Sequence, residues 1–513
     1  MPRIRAWVTG FAGVMCAALL HPHAHAEKTA ARFESSACPN MPTPVAALDH
    51  ARCGFLIVPE NRARPEGRSI RLAVAIIPAA SPTPRSDPVV FMSGGPGGAA
   101  LPLAQDLVGI GLNRDRDTIL MDQRGVGHSE PALDCPETAA FRARSVGLRY
   151  DAASTGRRLA DAAAACRRRL TKQGIDVSAY NTTENAADFA DLRSALGIGA
   201  WNVYAASYGT DLALTYLREH PEGVRSAIID SVVPPDVASL GWTWTSVKRG
   251  TDAVFAACAA DPGCDGRYPH LEETFAGLVR KLEAHPVTTK AKVGDREVKV
   301  VLDGGALVNW LQQHTIVPKT IPADIDALAH GDPGPIAAFF APLAAAEPLS
   351  RGMHFSVICS EWVPYERPSE ILAQGRRAFP GYPDSVLRQA PALPFMTEVC
   401  HAWHVPTAPA AIRQPVRSSI PTLSIGGSFD AVTGTQWAQY AVRQFKNATY
   451  ADIPGVSHFV ALDSPCVQQV MASFLANPEA FDTGCVKDLK PAPFAMETTQ
   501  PPVAIPPNDD GPL

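Results

Sequence analysis

The stretch from Val203 to Thr210 restricts the fold of this chain more than any other part of the sequence. An apolar, partly aromatic run ends there at Ala-Ala-Ser-Tyr-Gly (205–209), and a helix-forming segment, residues 211–219, follows directly. Small residues two before and two after a serine let a strand turn sharply into a helix, which leaves the serine, here Ser207, exposed at the sheet edge. Alanine instead of glycine at the first small position adds only one methyl group. A surface turn that contains a serine by chance is the alternative interpretation.

Strand-like apolar runs alternate with helical segments along much of the chain, which is typical of a mostly parallel sheet with helices on both faces. A helix over residues 182–196 precedes the strand before Ser207, and Gly197 ends it. The sequence therefore predicts an α/β fold. The predicted strands are residues 69–77, 88–92, 118–122, 201–205, 226–230, 421–425 and 448–453.

The alternation stops between about Pro235 and Arg417, in a stretch that is rich in Ala, Pro and Trp and helical in pattern. We predict a large, mainly helical cap over residues 236–416, inserted into an α/β core of residues 27–235 and 417–485. At 513 residues the chain is too long for one simple core, so its length predicts either one large domain with an insertion or two domains. The proline-rich residues 486–513 are expected to form a disordered tail.

The N-terminus has the pattern of an export signal. Arg3 and Arg5 precede an apolar stretch, residues 6–20, and a small-X-small site ends at Ala26. We interpret residues 1–26 as a cleavable signal peptide and expect a secreted or periplasmic protein. No later apolar run approaches the ~20 residues of a membrane-spanning helix. The net charge is −5 and no basic run resembles a nucleic-acid-binding surface, so neither a membrane span nor nucleic-acid binding is expected.

Ten cysteines follow the predicted signal peptide, an even number that favours disulfides over free thiols in an exported chain. They fall into five local couples in chain order, although sequence alone does not fix their connectivity. A metal site at Cys400, His401 and His404 is the alternative, but it lacks the paired Cys-X-X-Cys of such sites. The expected pairs are Cys38–Cys53, Cys135–Cys166, Cys258–Cys264, Cys359–Cys400 and Cys466–Cys485.

Two segments downstream of Ser207 supply the partners that a nucleophilic serine needs. A histidine must take the proton of the hydroxyl, and a carboxylate must hold that histidine in the right tautomer. On such sheets the order along the chain is serine, acid, histidine. Asp430 lies in the loop after strand 421–425, and His458, the only histidine downstream of it, follows strand 448–453. Three elements in the required order predict a catalytic triad and weaken the alternative of a chance turn.

Stabilising the oxyanion of a tetrahedral intermediate requires two preorganised N–H groups. One is expected from Tyr208, directly after the serine. The other is expected from the loop Ser-Gly-Gly-Pro-Gly-Gly (93–98), which follows strand 88–92, with Gly95 favoured and Gly94 as the alternative. A dinucleotide-binding loop is disfavoured by the central proline and by the missing acidic residue about twenty positions on.

The same loop resembles the His-Gly-Gly-Pro-Gly loop of prolyl-aminopeptidase-like α/β-hydrolases, with Ser93 in place of the histidine. Residues 122–129, Asp-Gln-Arg-Gly-Val-Gly-His-Ser, match the Asp-Gln-Arg-Gly-X-Gly-X-Ser turn of that family. In this turn we interpret Asp122 and Arg124 as structural. The chain is similar to the secreted tripeptidyl-aminopeptidase-like branch over roughly residues 50–485. Ala205 in place of the elbow glycine is a second departure, and neither departure removes a triad member.

The motifs and the resemblance imply an exported serine hydrolase that works through an acyl-enzyme. An aminopeptidase that releases short N-terminal peptides or amino acids is the leading expectation. A carboxylesterase acting on small acyl esters is the alternative, because the same machinery serves esters. A non-catalytic binding protein on the same fold would be suggested by loss of a triad residue, and all three are present. We expect a monomer that acts on a peptide or ester substrate, with no cofactor and no metal.

An exopeptidase must recognise a free α-amino group, and a carboxylate in the cap is its natural partner. Glu361, between a predicted disulfide cysteine and Trp362, is the candidate substrate-binding acid. An ordinary surface acid is the alternative, because acidic side chains are mostly exposed.

Overall fold

The structure is a computed structural model, and it describes residues 31–344, 348–391 and 393–498. The predicted signal peptide, residues 1–26, lies outside the described residues. The strands are β1 Arg32–Ser36, β2 Arg52–Pro59, β3 Ser69–Ile77, β4 Val89–Met92, β5 Thr118–Met121, β6 Trp201–Ala206, β7 Val224–Asp230, β8 Val287–Val293, β9 Arg296–Leu302, β10 Thr422–Gly427 and β11 Ala448–Ile453.

The α-helices alternate with these strands in the first and last parts of the chain and crowd between β7 and β10. They are α1 Ala104–Gly109, α2 Pro136–Ser145, α3 Ala153–Lys172, α4 Thr182–Ala195, α5 Tyr208–Glu219, α6 Ser239–Ala260, α7 Pro262–Arg267, α8 Leu271–Ala284, α9 Gly304–His314, α10 Ile321–Ala329, α11 Gly334–Phe340, α12 Arg351–Val357, α13 Pro368–Ala378, α14 Asp384–Leu387, α15 Met396–Trp403, α16 Thr435–Ala441, α17 Val460–Asp463 and α18 Pro465–Ala476.

Nine strands form one sheet in the order β1-β2-β3-β5-β4-β6-β7-β10-β11. The six strands from β5 to β11 in this order are parallel, and β1, β2 and β3 extend the sheet as antiparallel strands. Side chains alternate between the two faces: Phe91 of β4 packs towards α1 and α18, and Val90 packs towards α4 and α5. Helices therefore cover both faces, and the α/β fold predicted from the sequence is confirmed.

All seven predicted strands are present in the sheet, with bounds that differ by no more than two residues. Between β7 and β10 the regular elements of the described chain are helices joined by loops, apart from the hairpin β8–β9. We propose residues 236–416 as the cap domain. The sequence analysis missed a second insertion, α2 and α3, which lies between β5 and β6 and packs against α15 of the cap.

Five disulfides pair the cysteines in the same five couples that their order along the chain suggested. Each closes a loop of between 6 and 41 residues. Cys400 is bonded to Cys359, so it is not free to bind a metal. Among the helices of the described residues, none is both long and apolar enough to cross a bilayer.

The segment after α18 differs from the predicted disordered tail over residues 486–498. Pro491 packs on the loop that carries His458, where a Cβ at Gly455 would lie 2.4 Å from the Pro491 Cα. Phe494 is buried in the apolar cluster of the cap. Composition predicted disorder because the segment is rich in proline and low in aromatic residues, but Phe494 is buried and Pro491 makes a close contact with the core. Residues 499–513 lie outside the described residues.

Two hydrogen bonds attach the same segment to the cap. The Ala495 N–H donates to the Lys319 carbonyl at 2.8 Å, and the Tyr268 hydroxyl donates to the Met496 carbonyl at 2.6 Å. Residues 490–496 therefore form a strap, which runs from the histidine loop of the core to the cap.

We expect a chain that ends after residue 489 to unfold at a lower temperature than one that ends after residue 498. The shorter chain loses the buried Phe494, which is worth about 2 kcal/mol by the area it removes from water. The longer chain keeps the whole strap and serves as the control. Differential scanning calorimetry measures both, and equal melting temperatures would show that the strap does not contribute to stability.

Candidate active site

Ser207 stands at a sharp turn between β6 and α5. Its backbone has φ 58° and ψ −133°, a conformation that non-glycine residues rarely adopt and that is concentrated at functional sites. The turn presses against the end of β4, where a Cβ at Gly209 would lie 2.1 Å from the Met92 carbonyl oxygen. Only glycine fits at 209, whereas Ala205 is accommodated fully buried within β6. Ser207 itself is partly exposed.

His458 and Asp430 form the second part of the site. His458 lies in the loop after β11, and its Nδ1–H donates to Asp430 Oδ2 at 3.0 Å. Asp430, buried in the loop after β10, also accepts hydrogen bonds from the N–H groups of Val432 and Thr433 and from the Thr433 hydroxyl, at 2.8, 2.9 and 2.6 Å. These donors fix the carboxylate, and the carboxylate fixes the imidazole tautomer in which Nε2 carries no proton and can accept one.

Burial and charge act in opposite directions on this pair. Burial alone would lower the pKa of His458 and raise the pKa of Asp430, because it disfavours the charged forms. Their mutual attraction and hydrogen bonding outweigh burial, so the pKa of His458 is raised and that of Asp430 is lowered from their ordinary values. Asp230 adds a smaller attraction to the imidazolium. His458 therefore holds a proton more tightly than an ordinary histidine does.

Sequence analysis did not find the residues that hold the histidine loop. Asp230, at the end of β7, accepts hydrogen bonds from two N–H groups of α17 at 3.1 and 3.0 Å. Ser231 Oγ accepts from the Phe459 N–H at 2.7 Å and donates to Asp230 at 3.0 Å. An acid at the end of a predicted strand was the only signal in the sequence, because the partners of Asp230 lie 230 and 231 residues further along the chain.

The loop after β4 reaches the serine from the opposite side. A Cβ at Gly94 would lie 2.7 Å from the Ser207 Cβ and 3.2 Å from its Oγ. Gly95 has φ 115°, which an L-residue with a side chain rarely adopts. Asp122 is buried after β5 and accepts hydrogen bonds from the N–H groups of residues 100 and 101 at 2.7 and 3.0 Å. Asp122 thus braces the far end of this loop and does not line the space beside Ser207.

A cavity of about 690 Å³ opens beside the serine. Ser207, Tyr208, Gly94, Gly95 and His458 all line it, so the structure brings the predicted serine, histidine and oxyanion residues to one space. Much of the remaining wall comes from the cap and from α2. The wall is largely apolar, and its aromatic residues include Phe141, Phe339, Phe340, Phe355, Trp362 and Trp437.

Glu361 is not at this cavity. Its side chain is buried, and its Oε1 and Oε2 accept hydrogen bonds from the N–H and hydroxyl of Thr182 at 2.8 and 2.5 Å. The expectation that Glu361 meets a substrate amine is therefore not supported by its position. The sequence could not show that this acid caps the start of α4, because the two segments are 179 residues apart.

The fold and this geometry are those of a hydrolase built on a parallel sheet. Residues 87–465 match the α/β hydrolase fold family, and the chain belongs to that family.

Several known proteins are similar to this chain. Tripeptidyl aminopeptidase of Streptomyces coelicolor is 24% identical over 505 residues, which cover 88% of this chain and 85% of that protein. Serine protease Hip1 of Mycobacterium bovis is 32% identical over 225 residues, or 42% of each chain. The crystal structure of a proline iminopeptidase from Mycobacterium smegmatis covers 83% of this chain and 98% of its own, with 17% identity and a TM-score of 0.37. The family and the two peptidase relatives identify an aminopeptidase-like serine hydrolase.

We expect Gly94→Ala to lower the activity of the folded enzyme, because the added methyl group would collide with Ser207. Overpacking of this kind costs about 1–3 kcal/mol, which corresponds to roughly 10- to 100-fold in kcat if the serine is displaced. Gly109→Ala, at a helical position with nothing within 4 Å of the added Cβ, is the matched control. Hydrolysis of a p-nitrophenyl ester measures both, and equal activity of the two variants would contradict the close approach at Gly94.

Proposed function

We propose that the chain is an exported serine aminopeptidase with Ser207, His458 and Asp430 as its catalytic triad. One observation carries this proposal: Ser207 at its strained turn and His458 on its buried carboxylate line the same cavity from loops after two different strands. The geometry serves general base catalysis by the imidazole Nε2, with Asp430 supporting the charge that develops.

The proposed reaction has two halves. His458 Nε2 takes the proton of the Ser207 hydroxyl as Oγ attacks the scissile carbonyl carbon, and it then gives that proton to the leaving amine as the C–N bond breaks. A water molecule next loses a proton to His458 and attacks the ester, and the proton returns to Ser207 as the acyl group leaves. The N–H groups of Tyr208 and Gly95 are the proposed donors to the oxyanion in both halves.

Export is the proposed fate of the chain, with residues 1–26 as the cleaved signal and a secreted or periplasmic destination. The five disulfides support it, because such bonds persist in oxidising compartments.

The proposed substrate is a peptide from which a short N-terminal piece is released. The similarity to tripeptidyl aminopeptidases extends over 88% of the chain and supports this choice. The cavity volume of about 690 Å³ lies within the range of small-ligand pockets and would accept several residues. The largely apolar wall also includes the polar residues Asn309, Gln312 and Gln313 of α9 and two arginines, Arg142 and Arg351.

A carboxylesterase is the second candidate function. It is favoured by the apolar wall and by the lining of the cavity, which includes no Asp or Glu among residues 31–344, 348–391 and 393–498. Neutral acceptors, such as the side-chain amides on α9, bind the ammonium group of a peptide N-terminus less firmly than a desolvated carboxylate does. A hydrogen bond to a charged group is worth about 1.5–3 kcal/mol, so amine recognition of this kind is moderate in strength.

Replacing Ser207 or His458 by Ala should lower kcat by a factor on the order of 10⁴ or more, because triad members act as a unit. A fluorophosphonate probe should label the wild-type protein at Ser207 and leave the Ser207→Ala variant unlabelled. Peptide mass spectrometry locates the label. Retained activity in Ser207→Ala protein of normal stability would refute the triad.

Tripeptidyl p-nitroanilides with a free N-terminus should be cleaved roughly 10- to 100-fold faster than their N-acetylated forms, as follows from the ammonium hydrogen bonds. Steady-state kcat/KM on matched pairs measures this ratio, and p-nitrophenyl butyrate reports the ester reaction. Equal rates on blocked and free peptides, together with faster ester cleavage, would assign the carboxylesterase function instead.

A further inference from the structure

A buried carboxylic acid of the cap lies behind the serine turn and takes no part in the proposed mechanism. Glu361 belongs to a single π-helical turn, Ile358–Trp362, which the Cys359–Cys400 disulfide ties to α15. Its side chain crosses from the cap to the core, where the two oxygens take the N–H and the hydroxyl of Thr182. Single π-helical turns are uncommon in proteins, but those that occur are often found at functional sites.

The chain of hydrogen bonds continues from Thr182 to the residue that follows the nucleophile. The Tyr208 hydroxyl lies 2.8 Å from Thr182 Oγ1. While the Thr182 hydroxyl donates to Glu361, its oxygen can only accept from the Tyr208 O–H, since a hydroxyl carries one hydrogen. With Glu361 protonated at Oε2, the acid donates to Thr182 Oγ1 and the Thr182 hydroxyl donates to the Tyr208 oxygen, while the Thr182 N–H still donates to Oε1. Glu361 can therefore hold the ring of Tyr208 through Thr182 when it is protonated, the form that its burial favours.

Two buried carboxyl groups, those of Glu361 and Asp211, interact with the guanidinium group of Arg413. Asp211 of α5 is buried, and its Oδ2 accepts from Trp362 Nε1 at 3.4 Å. The guanidinium of Arg413 donates to the carbonyls of Glu361 and Val237. Burial raises the pKa of Glu361 to about 8, with repulsion from Asp211 as the next cause, and burial raises the pKa of Asp211 to about 6.

Weaker charges act on Asp211 from Arg218, which favours its ionised form, and from Asp236, which opposes it. The higher of the two raised pKa values belongs to Glu361, so Asp211, which Arg413 attracts, ionises first as pH rises. Above pH 8 Glu361 also ionises, and the repulsion between the two carboxylates strains the cluster.

We propose that Glu361 is a positioning residue: through Thr182 it fixes Tyr208, and with it the backbone N–H at residue 208 that would stabilise the oxyanion. The proposal rests on the proposed function, because it assigns Glu361 to the same catalytic site. Trp362 adds to it, since its ring meets that of Tyr208 edge-on at 6.5 Å between centroids and also lines the cavity. A contact made by the cap thus sets the geometry of a donor in the core.

The test compares Glu361→Ala, Glu361→Gln and Tyr208→Phe on an ester substrate, with active sites counted by fluorophosphonate titration. Glu361→Ala and Tyr208→Phe should each lower kcat by about 10-fold with little change in KM, because the oxyanion exists only in the transition state. The double variant should lose no more than the stronger single variant, since both remove the same chain of bonds. Glu361→Gln, which imitates the protonated acid, should restore most of kcat at pH 7.

The pH dependence separates this role from a structural one. The kcat of the wild type should fall as pH rises through about 8, where Glu361 loses its proton, and the fall should be absent in Glu361→Gln. The free energy of unfolding should also decrease with rising pH. Because the pKa of Glu361 is higher in the folded than in the unfolded chain, this decrease is expected between the ordinary pKa of a glutamate and about pH 8.

Glu366→Ala is the matched control. Glu366 is a partly buried acid shortly after Glu361 in the chain, and it accepts hydrogen bonds from two N–H groups of α6. It should lower stability and leave kcat per active site unchanged. An unchanged kcat in Glu361→Ala, fully additive losses, or an alkaline fall that persists in Glu361→Gln would each overturn the positioning role. Activity in Ser207→Ala would instead overturn the proposed function.

Discussion

The backbone of the Ser207 turn and the backbone at the end of β4 approach each other so closely that no side chain fits between them. Gly209 meets the Met92 carbonyl, and Gly94 meets the serine itself. Both contacts follow from the sheet, because β4 and β6 are parallel neighbours with Met92 opposite Ala205. Ser207 and the loop of residues 93–98 therefore follow adjacent strands at the same edge of the sheet. Their relative position is set by these rigid strands and not by flexible loops.

Three buried aspartates at or near the ends of strands hold the loops at this edge of the sheet in place. Asp122 follows β5, Asp230 ends β7 and Asp430 follows β10, and each accepts backbone N–H groups from a loop at the same edge. A buried carboxylate requires such donors, because without them the charged form would be too costly to bury. Each acid thus fixes a loop in one arrangement. Together they place the glycine loop, the loop of His458 and the acid that orients this histidine.

The sequence predicted those features that depend on local pattern or on order along the chain. Seven strands, the serine turn and the order of Ser207, Asp430 and His458 were found this way. What it could not predict depends on contacts between distant segments: the partners of Asp230, the strap around Phe494 and the site of Glu361. An acid beside a disulfide and a tryptophan in the cap looks the same in sequence whether it faces a cavity or caps a helix of the core. Only the fold distinguishes the two.

Residues of the cap also contact the loop of residues 93–98 directly. This loop begins with Ser93, where the prolyl-aminopeptidase-like family that the chain resembles has histidine. The Ser350 N–H of the cap donates to the Gly97 carbonyl at 2.9 Å, and His354 Nδ1–H donates to the Pro96 carbonyl at 3.0 Å. Burial lowers the pKa of His354 to about 3, so its imidazole is neutral at higher pH and its Nδ1–H donates this hydrogen bond. The loop is therefore braced from α12. Because Arg351, His354 and Phe355 of α12 also line the cavity, one helix contacts both the cavity and the loop that carries the proposed oxyanion donor Gly95.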